Sequence, residues 1–134
     1  MRIEYLFGPF AAVAVVLAAA TPAVHASDGD RAYCLELTHR AVRTNAQAGK
    51  WLDRFRRHDG IFVQCDDKRI EFRRFMAAAP ERLGDGWEER EEKAWNAAQC
   101  GNARSRAAIE KGWTVRAVYT TATGRNVSFD AECD

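Results

Sequence analysis

The sequence is short of the features that usually announce a function. Neither charge sign is in excess: 20 basic and 19 acidic residues leave a formal net charge of +1. Nucleic-acid-binding domains are usually strongly basic, so no nucleic-acid partner is expected. No apolar run reaches the roughly 18 residues needed to cross a hydrocarbon layer; the longest, Phe10–Ala20, has 11. Histidine is scarce, three in the whole chain, and no two cysteines stand in a CxxC pair. Zinc sites draw on closely spaced ligands, so neither a metal nor another cofactor is expected. Ser105 and Ser128 lie in no nucleophile elbow and no SxxK context, which removes the common signatures of a serine nucleophile.

What is present begins with an export pattern. Arg2 gives a minimal positive start, offset by Glu4; the apolar run follows, and Val24-His25-Ala26 places small residues where a signal peptidase reads. This order predicts cleavage after Ala26, with residues 27–134 forming one domain in the periplasm or outside the cell. No cysteine follows the cleavage point, so neither a lipid anchor nor stable membrane insertion is expected. Loss of Arg2 and Glu4 leaves the net charge unchanged.

All four cysteines, Cys34, Cys65, Cys100 and Cys133, lie in the mature part. An even count in a small exported domain predicts two disulfides, and four cysteines allow three connectivities. Order along the chain favours one. From Cys34 it runs through a helical stretch to Gly49, Trp51, the turn signal Asp59-Gly60 and then Cys65-Asp66. From Cys100 it runs through a helical stretch to Gly112, Trp113, the turn signal Thr123-Gly124 and then Cys133-Asp134. The parallel predicts bridges Cys34–Cys65 and Cys100–Cys133 and suggests an internal duplication.

The fold class expected is α+β, a small disulfide-stapled domain of about three helices with two antiparallel β units. Ser27–Asp30 can cap a first helix over 31–48, with Leu35, Val42 and Ala46 near one face and Gly49 as its left-handed stop. Residues 51–58 and 61–65 flank Asp59-Gly60, a strong hairpin signal, and 69–75 adds a third strand to make a meander. A rival reading makes 68–79 a helix, because Phe72, Phe75, Met76 and Ala79 also fit that spacing. Residues 80–86 read as a loop and 86–99 as a helix. Glutamates at 88, 89, 91 and 92 suit the positive end of that helix, and Trp87, Ala94, Trp95 and Ala98 supply its buried stripe. A shorter helix over 103–111 and a hairpin of 113–120 with 125–133 close the chain.

The basic meander is the most informative candidate site. Simple alternation along the strands sends Arg54, Arg56, Arg69 and Arg73 to one face, with Phe62 and Gln64 between them. Phe55, Ile61, Val63, Ile70 and Phe72 then point to the core. Guanidiniums around an aromatic suit carboxylates, phosphates or an acidic protein surface. The competing reading is a solvated face, or arginines paired within the molecule to the Glu-rich helix start. The glutamates themselves alternate with Arg90 and Lys93 and read as a solvated face, not a glycosidase pair. Asn126-Val127-Ser128 matches a glycosylation acceptor, a signal with meaning only in a eukaryotic secretory pathway.

The function expected is therefore an exported, non-enzymatic binding protein (an inhibitor, an immunity-type protein or an envelope adaptor) for another protein or an anionic envelope component. Two alternatives stand beside it. One is a small secreted hydrolase or toxin with His58 or His39 as its base. The other is a thiol–disulfide protein, against which the wide cysteine spacing argues.

Overall fold

The structure, a computed structural model, describes residues 26–134. The expected signal segment, 1–26, lies outside the described residues apart from Ala26. Eight elements follow in order: α1 (Asp28–Asn45), β1 (Arg56–Gln64), β2 (Arg69–Met76), α2 (Pro80–Leu83), α3 (Trp87–Cys100), α4 (Ala103–Glu110), β3 (Thr114–Thr121) and β4 (Asn126–Asp130). The class is α+β, as expected, with the helical alternative for 68–79 excluded. The two β units are not separate. They join in one four-stranded sheet of order β1-β2-β3-β4, whose outer pairs are antiparallel and whose central pair, β2 with β3, is parallel. A parallel pair needs a long crossover, and α2, α3 and α4 provide it.

Helix α1 starts on Ser27, whose Oγ accepts the Asp30 N–H at 3.1 Å, an N-cap of the preferred type. It ends three residues earlier than expected because Asn45 is used otherwise. The Asn45 side-chain amide accepts from Ile61 N at 2.6 Å and donates to Ile61 O at 2.8 Å, pinning the helix end to β1. Its buried stripe is Cys34, Leu37 and Ala41, not the expected one: Leu35 and Val42 are 60% and 65% exposed. In α3 the stripe runs at steps of four through Trp87, Glu91, Trp95 and Gln99, whereas Ala94 and Ala98 face solvent. The two polar members are satisfied. Gln99 Oε1 accepts from Ser105 Oγ at 2.7 Å, and Glu91 accepts from Tyr119, as described below.

The largest departure is in β1. Asp59-Gly60 makes no hairpin; 56–64 is one continuous strand paired along its length with β2. His58 pairs with Arg74 and Gly60 with Arg73, so Asp59 is an extra residue on the β1 side, a β-bulge. Gly60 has φ of 140°, backbone that side-chain-bearing residues rarely adopt. The reversal comes instead at 65–68, where Lys68 N donates to Cys65 O at 3.2 Å. Local turn chemistry is outweighed here by a ladder with β2 and the Asn45 clamp. The proposed duplication loses its central equivalence, because Thr123-Gly124 does turn the chain between β3 and β4 while Asp59-Gly60 does not.

Helices and sheet form two layers. Trp87, Trp95, Ala108 and Trp113 pack with Ile70, Met76, Val115, Ala117, Tyr119, Val127 and Phe129 into one core. Phe55, expected to join it, is 40% exposed, and Trp51 is 53% exposed. The disulfides pair as expected, Cys34 with Cys65 and Cys100 with Cys133, at Cα separations of 5.8 and 5.5 Å. The first ties α1 to the β1–β2 turn, and the second ties the end of α3 to the tail after β4. Among the described residues no helix is long and apolar enough to cross a membrane.

Candidate functional site: the open sheet face

Strand pairing places residues on faces. Core residues Ile70, Met76, Val115, Ala117, Tyr119, Val127 and Phe129 mark the helix-covered face, so the alternate positions belong to the other. On β2 these are Arg69, Glu71, Arg73 and Phe75; their partners on β1 are Gln64, Phe62, Gly60 and Arg57. On β3 they are Thr114, Arg116, Val118 and Thr120, joined by Asn126, Ser128 and Asp130 of β4.

The bulge decides which arginines appear. Counting back from Phe62 in steps of two would place Arg56 on this face, but the extra residue at Asp59 reverses the alternation. Arg57 takes the open face, and Arg56 turns to the helix side, where its NH2 pairs with Asp53 at 2.6 Å and its NH1 with Glu91 at 3.3 Å. Arg54 lies before the strand and stacks on Phe55, 4.5 Å from its ring centre. Of the expected binding residues, then, Phe62, Arg69 and Arg73 come together and Arg54 and Arg56 do not. Sequence reading missed Arg57, Phe75, Glu71, Arg116 and Asp130. Glu71 and Phe75 alternate with Arg69 and Arg73 and were legible on β2. Arg116 and Asp130 depend on the parallel β2–β3 pairing.

The arginines on this face are organised by rings and carboxylates. Arg73 lies 4.2 Å from the Phe62 centroid; Arg57 lies 4.9 Å from that of Phe75 and 5.9 Å from that of Trp51. Such contacts are each worth about 0.5–1 kcal/mol when exposed. Glu71 is 8% exposed and sits between two guanidiniums, Arg73 NH2 at 3.1 Å and Arg69 Nε at 3.2 Å. The Arg69 contact is an ion pair at that distance without hydrogen-bond geometry. Arg116 donates twice to Asp130, at 2.6 and 2.8 Å, which holds the Asp130 carboxyl below its ordinary range and raises the guanidinium. Arg57 donates to Asp59 at 2.7 Å, and that hydrogen bond raises its affinity for the proton. Arg69 also pairs with Asp67 at 3.3 Å, so four arginines face four carboxylates and the surface is near neutral rather than the cationic one expected.

The fold resembles that of a Pseudomonas aeruginosa protein described as a "putative secreted protein". The TM-score is 0.67 at 14% sequence identity, over 81% of this chain and 96% of that one. At that identity the likeness extends to the fold alone. No protein-family model matches this sequence, and no curated protein matches it.

On the helix side a second polar group lies buried. Tyr119, 1% exposed, accepts from Arg74 NH1 at 2.9 Å and donates to Glu91 Oε2 at 3.2 Å. Burial raises its phenol above the ordinary tyrosine value. His58 is also buried, with Nε2 unpartnered; burial, then the nearby Arg74 charge, lowers its proton affinity, with Asp59 opposing. The Asp59 carboxylate is engaged by Arg57, so it does not orient the imidazole as a catalytic base would require. His39 is exposed on α1, a different element. No cysteine among the described residues is free.

Proposed function

We propose that the mature chain is an exported, non-enzymatic binding protein that engages a protein partner through the open sheet face. The observation that carries this is Phe62, 41% exposed in the sheet and stacked by Arg73, with the Arg57–Phe75–Trp51 stack on the neighbouring positions. Aromatics and arginines are the residues enriched at protein interfaces. Here their side chains are held in place by Glu71, Asp59 and Asp130, so little rotamer freedom is left to lose on binding. The internal charge pairing argues for a protein surface over a free anion: the face offers flat stacking area with spare N–H donors, not an attractive field. Export is supported by the leader pattern at 1–26, by two closed disulfides, which persist in oxidising compartments, and by a fold like that of a protein described as secreted.

The test compares wild type with Phe62→Ser and Arg73→Ser in capture from an envelope extract. A partner retained by wild type, lost by at least tenfold with both variants, and unaffected by Arg54→Ser is the expected result. Equal capture by all forms, with melting temperatures unchanged, would remove this face as the site.

A further inference from the structure

The helix layer does not close over the whole sheet. Between α1 and the start of α4 lies a cleft of about 290 Å³, near the lower end of the ~300–1,000 Å³ typical of small-molecule sites. Its floor is apolar and comes from three strands: Ile61 and Val63 of β1, Ile70 and Phe72 of β2, and Val115 of β3. Leu37 and Ala41 of α1 extend that surface up one wall. The rim is polar and carries one sign of charge. Arg40 and Thr44 belong to α1, and Asn102, Arg104 and Ser105 to the α4 side; no carboxylate is among the lining residues. Arg104 has no acidic partner within 4.0 Å among the described residues, while Arg40 gives one N–H to Glu36 and keeps the rest of its fork.

Each part has a physical reason. Asn45 and the Cys34–Cys65 bridge anchor α1 to β1 and the turn after it, Tyr33 meets Trp113 edge-on, and α4 is held over β3 by Ala108 and Trp113. Trp95 of α3 covers one edge of Phe72, and the remaining surface of Ile70 and Phe72 lines the cleft. Unlike the open sheet face, this surface is concave, and of its two cations only Arg40 has a carboxylate partner among the described residues.

We propose that the cleft binds an aliphatic monocarboxylate, its tail on the Ile61–Val63–Phe72 floor and its carboxylate held by Arg40 and Arg104 at the rim. The volume suits a single short or medium chain and not a two-chain lipid. The bidentate match of guanidinium to carboxylate supplies the head-group preference, and the floor supplies a dependence on chain length.

Isothermal titration of the disulfide-intact mature chain with hexanoate, octanoate and decanoate, each below its micellar range, tests this. Affinity should rise about fourfold per buried methylene, the factor that ~0.8 kcal/mol gives. Decylamine, of opposite charge, should bind at least tenfold more weakly than decanoate. Arg40→Gln with Arg104→Gln should lower decanoate affinity at least tenfold. Thr44→Trp, at an exposed rim position that leaves the core alone, should block uptake, and Lys93→Gln, exposed on α3 away from the cleft lining, should leave it unchanged. No heat with any chain length overturns the proposal. So does decanoate binding that ignores both rim substitutions, or equal affinity for decylamine.

Discussion

The two faces of the sheet treat the same residue types in opposite ways. On the covered face Arg74 and Glu91 are drawn into a closed network with Tyr119, and Arg74 also lies 5.2 Å from the Trp95 ring. On the open face Arg57, Arg69, Arg73 and Arg116 keep a carboxylate each and still present edges and rings to solvent. Burial makes an unpaired charge expensive, so arginines beneath helices are consumed by internal partners. Exposed ion pairs add little stability, so the open-face arginines are free to serve another purpose. Arginine count alone therefore says little about a binding surface; the face on which each arginine lands says much more.

That contrast can be broken most forcefully from the covered side. Trp95 is 2% exposed and packs edge-on against Phe72, 5.2 Å between ring centres. Trp95→Ala should cost about 3–5 kcal/mol in urea unfolding, whereas Phe62→Ser, directly across the sheet, should stay within about 1 kcal/mol. Comparable losses would mean that the open face is part of the stabilising core and not a presented surface.

Next in size is the staple of α1. Replacing Cys34 and Cys65 together by Ala removes a bridge that closes a separation of 31 residues and should cost about 2–4 kcal/mol. Because that bridge positions one wall of the cleft, hydrogen exchange should quicken in α1 before it does in β2 and β3.

Gly60→Ala tests the bulge that sorts Arg56 from Arg57. An added Cβ would meet the Phe62 ring at 3.2 Å and Asn45 Oδ1 at 3.4 Å, at a φ of 140°. A loss of about 1–3 kcal/mol is expected, with weakened partner capture because Phe62 and Arg57 shift together. Unchanged stability would mean the bulge has relaxed into regular pairing.

The smallest effect is a pH dependence confined to the covered face. The folded proton affinity of His58 is depressed, by burial first and Arg74 second, so the unfolded chain binds the proton more readily. Its contribution is present above the unfolded value of about 6.5 and is lost as pH falls below it. Urea midpoints from pH 8 to 5 should decline with a slope that His58→Asn flattens. An unchanged slope in the variant would assign the dependence elsewhere.

Local signals were read well wherever one residue's chemistry acts on its neighbours. Ser27 caps α1, and Trp87 and Trp95 sit on the buried stripe of α3. The cysteine pairing was legible because each bridge joins segments in the same half of the chain. Leu35 and Val42 were misplaced because α1 is not deeply packed, and Phe55 because it lies before β1 begins at Arg56.

By itself, the sequence determined the α+β class, three of the four helices (α2 falls in 80–86, expected to be a loop), three of the four strands, the two disulfides and the balance of charge. All of these follow from periodicity, capping, cysteine spacing and composition, interactions that act over a few residues or within one half. Only the tertiary structure decided that Asp59-Gly60 would be a bulge, that β2 and β3 would pair in parallel, and that Arg57 rather than Arg56 would face outward. Each of these was settled by contacts between segments far apart in the chain: Asn45 on Ile61, β2 along β1, and β3 arriving beside β2 after three helices. Such contacts together outweigh a local turn preference, and a shift of one residue in a strand moves every side chain on its far side to the opposite face.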